Sequence, residues 1–193
     1  MTGQERREQL LDVGRALFAE RGFDATSIEE IAKRADVSKP VVYEHFGGKE
    51  GLYAVVVDRE MKRLLDRITD SLIGSTPLQM LEQAADALLG YIEEEKSGFK
   101  ILVRDSPVAT TSGTFASLIG DIASQVEYIL ADEFKRRGYE KDLAPLYSHA
   151  LVGMVALVGE WWLEVGKPSR KKVSAHLVNL AWNGLSHLEK KPT

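Results

Sequence analysis

The sequence predicts an all-α fold. Apolar residues recur three and four positions apart along most of the 193-residue chain, which is the spacing of one face of a helix. No segment alternates apolar and polar residues in the way that a half-buried strand does. Glycine, proline and serine interrupt the helical pattern at short intervals. We therefore predict a three-helix helix-turn-helix domain over residues 1–48, followed by a larger helical domain over residues 49–193.

The first predicted helix covers Glu5 to Arg21. Leu10 and Leu17 lie on one face of it, and Gly22 is placed to end it. This helix is expected to support the two short helices that follow.

A helix start is predicted within the stretch TSIEEIAKRADVSKPVVYEHFGGK, residues 26–49. Thr26 and Ser27 are both N-cap residues, and Glu29 and Glu30 follow them at a spacing of three. Either register therefore forms a capping box, in which cap side chain and glutamate each accept from the other residue's backbone N–H.

A second short helix begins at Ser38, directly after the turn Ala35-Asp36-Val37. Pro40 falls in its first turn, where the missing N–H costs nothing. Two helices joined by so short a turn cross steeply, which is the geometry of a helix-turn-helix.

The rest of the chain is predicted to be helical, with glycine- and proline-containing breaks. Gly47-Gly48 precedes a long helix, and Thr76 caps the next one. Breaks are also expected at Ser97-Gly98, Ser106-Pro107 and residues 110–113. The predicted helices run from Lys49 to about Ile73, from Pro77, and over Phe99–Arg104, Phe115–Arg137, Leu143–Val165 and Val173–Glu189.

The composition excludes several kinds of protein. The chain has no cysteine, so disulfides, thiolate zinc sites and cysteine nucleophiles are excluded, as fits a reducing cytoplasm. The uncharged run from Ala144 to Gly159 is shorter than a membrane span, and the polar N-terminus does not look like a signal peptide. We expect a cytoplasmic protein that contacts no membrane.

No catalytic or metal-binding motif is present. The four histidines are scattered without metal-ligand spacing, and no nucleophile stands in a known relation to a base. We therefore expect neither an enzyme, a metal site nor a bound cofactor. Besides an enzyme, the class to be weighed is a helical lipid or protein carrier, which would not need the intact helix-turn-helix.

The charge of the predicted helix-turn-helix is local. The chain has a net charge of −4, and residues 1–50 contain eight Lys and Arg against ten Asp and Glu. Within residues 33–49 the balance is four cations against two anions. A helix-turn-helix contacts nucleic-acid phosphates through local charge and backbone N–H groups. Because the local excess of positive charge is small, we expect each subunit to make few ionic contacts with phosphates.

The helix-turn-helix stretch also resembles a known family. The pattern T-S-x-x-x-I-A-x-x-A-x-V-S-K-P-x-x-Y-x-H-F-x-x-K-E-x-L is similar to the DNA-binding signature of TetR-family transcriptional regulators. The resemblance implies a homodimer that binds double-stranded operator DNA through residues 1–48 and a hydrophobic small-molecule effector through residues 49–193.

The same resemblance implies which residues contact DNA. The helix from Ser38 to Phe46 would lie in the major groove, where Lys39 can donate to guanine, and Pro40 and Val41 can contact a thymine methyl. The candidate DNA-contacting residues are Thr26, Ser27, Ser38, Lys39, Pro40, Val41, Tyr43, His45 and Lys49.

Structural roles for several of these residues remain open. Tyr43 and His45 resemble the family's phosphate-contacting pair, but Tyr43 could instead pack on the first helix, and His45 could cap its own helix end. Thr26 fits a cap better than a contact, and Val41 could be half-buried.

The last two helices are candidates for a dimer interface. Small and apolar residues form a stripe along each, and two such helices from each chain can form an isologous four-helix interface. The alternative is that both helices are buried within one subunit. The candidate interface residues are Ala150, Gly153, Leu157, Trp161, Val173, Leu177, Leu180, Gly184 and Leu188.

The effector site is expected among apolar and aromatic residues near helix breaks, although ordinary core packing is the better explanation for any one of them. Arg104-Asp105 could be a polar anchor for a ligand or a buried ion pair. The candidates are Tyr91, Phe99, Leu102, Arg104, Phe115, Leu118, Met154 and Trp162.

A narrower resemblance suggests the effector. The segments SGFKILVRDSP, LAPLYSHALVG, EWWLEVGKP and AHLVNLAWNGLSHLE resemble actinobacterial FasR-type regulators of fatty-acid synthesis. This implies a long-chain acyl-CoA as effector and lipid-synthesis genes as targets. The alternative is a TetR-type repressor of an efflux or catabolic gene that responds to another hydrophobic molecule.

Overall fold

A computed structural model of the chain describes residues 2–73, 76–104 and 115–189, and these residues form an all-α fold without strands. The first six helices are α1 Gly3–Arg21, α2 Ile28–Arg34, α3 Lys39–Phe46, α4 Lys49–Ser71, α5 Pro77–Glu94 and α6 Lys96–Val103. The last three are α7 Phe115–Arg137, α8 Ala144–Val165 and α9 Arg170–Ser186, with a 3₁₀ turn at Lys141–Leu143 before α8.

The chain divides into two compact units. The first contains Met1–Arg63 and Glu95–Phe115, and the second contains Leu64–Glu94 and Ala116–Thr193. This division differs from the boundary predicted at residues 48/49. The first part of α4 belongs with α1, because Leu52 is fully buried and Arg59 pairs with Glu8 at 2.9 Å.

The first unit is organised around α1. Thr2 and Glu5 form a capping box at its start, and Gly22 ends it with a φ of 82°. Leu10 and Phe18 are buried on the inner face of α1.

Helix α6 packs against α1 within this unit. Its apolar residues are buried, among them Phe99 at 0% exposure. Its last residue is followed by Arg104, whose Nη1 donates to Phe18 O at 3.3 Å and to Ala19 O at 3.0 Å. Arg104 thus gives Ala19 O a donor at the end of α1 and adds a second donor to Phe18 O, which already accepts from Gly22 N at 2.9 Å.

Helices α2 and α3 are joined by the predicted tight turn. Ala35 caps the end of α2, and Asp36 adopts a left-handed conformation with a φ of 54°. Gly47 ends α3, also in the left-handed region, and its N–H donates to Tyr43 O at 2.7 Å. Gly51 in the first turn of α4 is required by space, since a Cβ there would lie 1.9 Å from Phe46 O.

The second unit contains α5, which packs against both α8 and α9. Arg170 at the start of α9 lies near three carboxylates of α5, those of Asp86, Glu93 and Glu94, at 3.4–3.6 Å. A separate apolar cluster is centred on Phe134, against which the rings of Tyr139 and Tyr147 pack.

Most predicted helices are present, and one predicted break is wrong. Helix α6 begins at Lys96 and runs through Ser97-Gly98, because the chain is already interrupted at Glu95, whose φ of −120° and ψ of 45° are not helical. Thr76 caps α5 as predicted, its Oγ1 accepting from Gln79 N at 3.3 Å. The breaks predicted at Ser106-Pro107 and at residues 110–113 lie outside the described residues.

Candidate nucleic-acid interface

Helix α3 presents most of its predicted contact residues to solvent. Val42 is fully buried and is the only buried residue of the helix. Val41 and His45 are half-buried. The exposed candidates are Ser38, Lys39, Pro40 and Tyr43, with Tyr43 53% exposed.

The start of α3 has polar groups that the fold itself does not use as a cap. Ser38 occupies the N-cap position with extended backbone angles, yet its side chain makes no capping hydrogen bond. Pro40 stands in the first turn as predicted. The N-terminal N–H groups of a helix and a nearby hydroxyl are suited to contact a phosphate.

The start of α2 settles the register of the capping box. Ser27 is the N-cap: its Oγ accepts from Glu30 N at 3.2 Å, and Glu30 Oε2 accepts from Ser27 N at 3.2 Å. Thr26 is buried at 2% exposure, and its hydroxyl donates to Gly22 O at 2.7 Å. The prediction of Thr26 as a side-chain DNA contact is therefore corrected, because its side chain faces the interior and fixes the chain before α2.

Lys39 is exposed but has an internal partner. Its ammonium group forms an ion pair with Glu29 in the first turn of α2. The hydrogen bond from Lys39 is the main cause that lowers the pKa of the Glu29 carboxyl, together with a backbone hydrogen bond and the attraction of the Lys39 charge. Any contact of Lys39 with a base must replace this pair.

Lys49 is tied to the first unit more closely than predicted. Its Nζ donates to Phe23 O at 3.0 Å and lies 4.1 Å from the centre of the Phe23 ring. The side chain is thereby engaged by the segment between α1 and α2. This arrangement explains the residue without DNA, so a contact from Lys49 stays a prediction.

A buried charge cluster in the first unit was missed from the sequence. Glu60 of α4 has 0% exposure and accepts from Arg15 Nε at 3.0 Å and from Arg63 Nη1 at 2.9 Å. Arg15 also pairs with Glu95, the residue before α6. Burial lowers the pKa of Arg15, but the charges and hydrogen bonds of Glu60 and Glu95 outweigh it and raise the pKa overall.

The sequence did contain a signal for this cluster. Glu60 lies four residues after Val56 and four before Leu64, and both of these neighbours are buried. A carboxylate within an apolar helical stripe is a buried charge that needs a cationic partner.

The effector-site candidates are divided between the two units. Phe99, Leu102, Arg104 and Phe115 belong to the first, and Tyr91, Leu118, Met154 and Trp162 belong to the second. Arg104 binds carbonyl oxygens of α1, which favours a structural role. Trp162 is buried, and its Nε1 donates to Pro168 O at 2.7 Å. The side chain of Phe115 and all of Asp105 lie outside the described residues.

The dimer candidates separate into exposed and buried sets. Val173 and Leu177 are only 5% and 7% exposed, and α9 packs on α5 within the chain. Their assignment to a dimer interface is corrected to the core of the second unit. Gly153 is half-buried, and so is Leu188, which packs against the Phe134 cluster. Ala150, Leu157, Trp161, Leu180 and Gly184 are exposed.

The exposed set is extended by further apolar residues of α8. Leu146 is 62% exposed and Val165 is 51% exposed. The helical run Lys141–Val165 is long and apolar enough to cross a membrane by length and composition, and 22% of its most apolar stretch is buried. Within the described residues there is no group of three or more His, Cys, Asp or Glu side chains that could hold a metal ion.

Comparison with known proteins gives matches over most of the chain. The family model of bacterial regulatory proteins of the tetR family matches residues 10–56, and the model of the tetracyclin repressor-like C-terminal domain matches residues 76–193. The HTH-type transcriptional activator FasR of Mycolicibacterium smegmatis is 32% identical over 187 residues, covering 95% of this chain and 84% of that protein.

Two further relatives extend the comparison. The HTH-type transcriptional repressor KstR of the same species is 36% identical over 80 residues, which are 40% of this chain and 39% of that protein. The crystal structure of a TetR-like transcriptional regulator from Rhodococcus sp. RHA1 superposes with a TM-score of 0.78 at 27% identity, covering 94% of this chain and 96% of the other.

Proposed function

This chain belongs to the tetR family of bacterial regulatory proteins, and we propose that it is a homodimeric, ligand-responsive regulator that binds palindromic operator DNA. The observation that carries the proposal is the surface of α3. Within a helix-turn-helix of the family pattern, Ser38, Lys39, Pro40 and Tyr43 are exposed while Val42 alone is buried. This is the arrangement of a helix that enters the major groove.

Lys39 is the proposed base contact. A lysine at the start of such a helix donates to guanine O6 and N7, and loss of one such contact costs about 1–3 kcal/mol. Tyr43 and His45 are proposed to contact phosphates. Two recognition helices, one from each subunit, would reach successive major grooves about 34–36 Å apart.

A DNA-binding experiment tests this proposal directly. The preferred duplex is selected from a random-sequence pool with the wild-type protein, and its affinity is compared with that of a shuffled duplex. Lys39→Ala should weaken binding and relax the preference at one G·C pair. Lys33→Ala is the matched control, because Lys33 is also exposed and its substitution removes the same charge. Equal losses from both variants, with sequence preference intact, would contradict a base contact by Lys39.

The dimer is proposed to form through the exposed apolar surface of α8 and α9. Leu157, Trp161 and Leu180 are 68%, 51% and 64% exposed, and large side chains of this kind are enriched at interfaces. Burial in a dimer also explains the apolar character of α8 without a membrane. Leu157→Glu should yield monomers in sedimentation experiments, whereas Tyr128→Glu, on the 78% exposed Tyr128 of α7, should not.

The proposed target genes are those of fatty-acid or lipid synthesis, with a long-chain acyl-CoA as effector. The support is the 32% identity to the activator FasR over almost the whole chain. A coupling of about 1–3 kcal/mol between effector and DNA would change the affinity about 5–150-fold. The partial match to the repressor KstR supports the alternative, a repressor that responds to another hydrophobic molecule.

Native mass spectrometry of the purified protein separates these alternatives. A dimer that carries a mass of long-chain acyl-CoA, and whose DNA affinity changes when palmitoyl-CoA is added, would support the lipid sensor. A dimer whose DNA affinity is unchanged by saturating palmitoyl-CoA would contradict the acyl-CoA assignment and leave the regulator intact. A monomer would contradict the two-groove mechanism.

A further inference from the structure

Helix α3 has little apolar packing of its own. It has eight residues, and Val42 is the only one that is buried. Val41 and Phe46 are half-buried, so Val42 is the one full anchor, and further contacts are needed to fix the tilt of the helix and its rotation about its own axis. The orientation of the DNA-contacting side chains therefore depends on contacts at the two ends of the helix.

The turn before α3 is held by a side chain from α1. Gln9 Nε2 donates to Ala35 O, at the end of α2, over 3.1 Å. The other end of the same amide is also fixed, because Arg6 Nη1 donates to Gln9 Oε1 at 2.6 Å. An amide bound at both ends has one orientation, so it holds the turn in a defined place.

The end of α3 is held from the same helix, by a residue two positions before Gln9. The guanidinium carbon of Arg7 lies 4.4 Å from the centre of the Phe46 ring, within the range of a cation–π contact. Phe46 is the last residue of α3. Arg7 and Gln9 thus hold the two ends of the helix-turn segment from the first two turns of α1.

The environment of Arg7 favours stacking over phosphate contact. Its Nη1 is buried and has no hydrogen-bond partner in the described part of the chain. A phosphate-binding arginine presents its N–H donors to solvent, whereas here a donor is left unsatisfied while the planar group lies on a ring. The contact with Phe46 accounts for the position of this side chain.

We infer that Arg7 and Gln9 are positioning residues that set the orientation of α3 and hence the sequence discrimination of the protein. Neither residue needs to touch DNA for this effect. The inference rests on the proposed DNA-binding function, in which α3 enters the major groove.

The test compares Arg7→Lys and Arg7→Met with wild type on the selected duplex and on a shuffled duplex of equal length. A cation–π contact of the usual strength bounds the loss of affinity for the selected duplex at about 2–30-fold for each subunit. Arg7→Lys should lose less than Arg7→Met, because a lysine ammonium can also lie over the Phe46 ring but lacks the planar group that stacks on it. Affinity for the shuffled duplex, and the dependence of that affinity on salt, should stay as in wild type.

A direct phosphate contact gives a different result. Arg7→Met would then weaken both duplexes alike and reduce the slope of log affinity against log salt by about 0.9 for each subunit. That outcome would overturn the inference. If wild-type protein itself shows no sequence-selective, salt-sensitive binding, the proposed function fails instead, so the two failures are distinguishable.

Two further variants keep the inference testable if Arg7 variants are unstable. Gln9→Leu removes the hydrogen bond to Ala35 O at similar size and should reduce discrimination between the duplexes about 2–10-fold. In a Phe46→Leu background, Arg7→Met should cause no additional loss, because its partner ring is already absent. An equal loss in both backgrounds would show that Arg7 acts independently of Phe46.

Discussion

The buried charge cluster of Arg15, Glu60, Arg63 and Glu95 leads to an asymmetric prediction. Glu60 has a side chain with 0% exposure, whereas those of Arg15 and Arg63 are 22% and 41% exposed. Arg15→Met leaves the fully buried carboxylate with one arginine fewer. Removing one partner of a buried pair costs about 3–5 kcal/mol, and we expect the free energy of unfolding to fall by the lower part of that range because Arg63 remains.

Substituting the other partner of the pair, Glu60, should cost less stability. Glu60→Leu removes the buried charge itself and leaves two arginines that solvent can reach, and Arg15 keeps its pair with Glu95. Apolar replacement of buried ionic groups is often close to neutral, so we expect a loss of about 1–2 kcal/mol. The double variant should be more stable than Arg15→Met, since no unpaired carboxylate is left.

The assay is urea unfolding followed by far-ultraviolet circular dichroism. All variants are compared at one protein concentration, because the stability of a dimer depends on it. Arg63→Met, which removes the more exposed arginine, is the control and should cost less than Arg15→Met. The explanation is refuted if Glu60→Leu costs as much as Arg15→Met, or if the double variant is the least stable of the set.

Three further predictions concern the DNA-binding unit and acid stability. Glu29→Gln should raise DNA affinity by no more than about fivefold, because the exposed ion pair with which Glu29 competes for Lys39 is weak. In fluorescence-anisotropy titrations the gain should vanish in a Lys39→Met background. Gly51→Ala should lower the free energy of unfolding by about 1–3 kcal/mol or more in the same urea assay, because the new Cβ would lie 1.9 Å from the Phe46 carbonyl oxygen. The control is Gly3→Ala, which should be tolerated because a Cβ at Gly3 meets nothing within 4 Å. Hydrogen bonds from Lys39 and Arg67 lower the pKa of Glu29 and Glu94 below the ordinary 4.5. The contribution of these two carboxylates to stability is therefore complete above pH 4.5 and is lost as the pH falls through the lowered pKa values. A Glu29→Gln/Glu94→Gln variant that loses stability as steeply as wild type below pH 4.5 would contradict this.

The helix-turn-helix was predictable because its signals are local. Ser27 and Glu30, the turn at Ala35, and Pro40 in the first turn of α3 each act within one helical turn, so the sequence alone places them. The choice between Thr26 and Ser27 as the cap was not decided by the capping-box spacing, which both residues fit. It depends on Gly22 O accepting the Thr26 hydroxyl inside the folded unit.

The errors on the other helices arise from packing that no local pattern records. The stripe predicted from Val173 to Leu188 is regular, but α9 ends at Ser186 and packs on α5, with Val173 and Leu177 buried while Leu180 and Gly184 lie exposed. Periodicity shows that one face is apolar and cannot show which neighbour covers it. The end of α6 is similar, because Arg104 looks like a ligand anchor in the sequence and binds the carbonyl groups of α1 in the structure.

The net charge of −4 is consistent with DNA binding once the position of each charge is considered. In the first unit Arg34 pairs with Glu20, Arg21 with Glu30 and Lys39 with Glu29, so much of the negative charge of residues 1–50 neutralises nearby cations. The pairs of Glu20 and Glu29 are exposed and each contributes little to stability, so DNA phosphates and bases can replace these two glutamates at small cost. Lys39 then exchanges one acceptor for another, while its uncharged neighbours Ser38, Pro40 and Tyr43 need no such exchange. The count of charges in a sequence therefore underestimates the affinity of such a surface for DNA, because it gives paired and replaceable carboxylates the same weight as free ones.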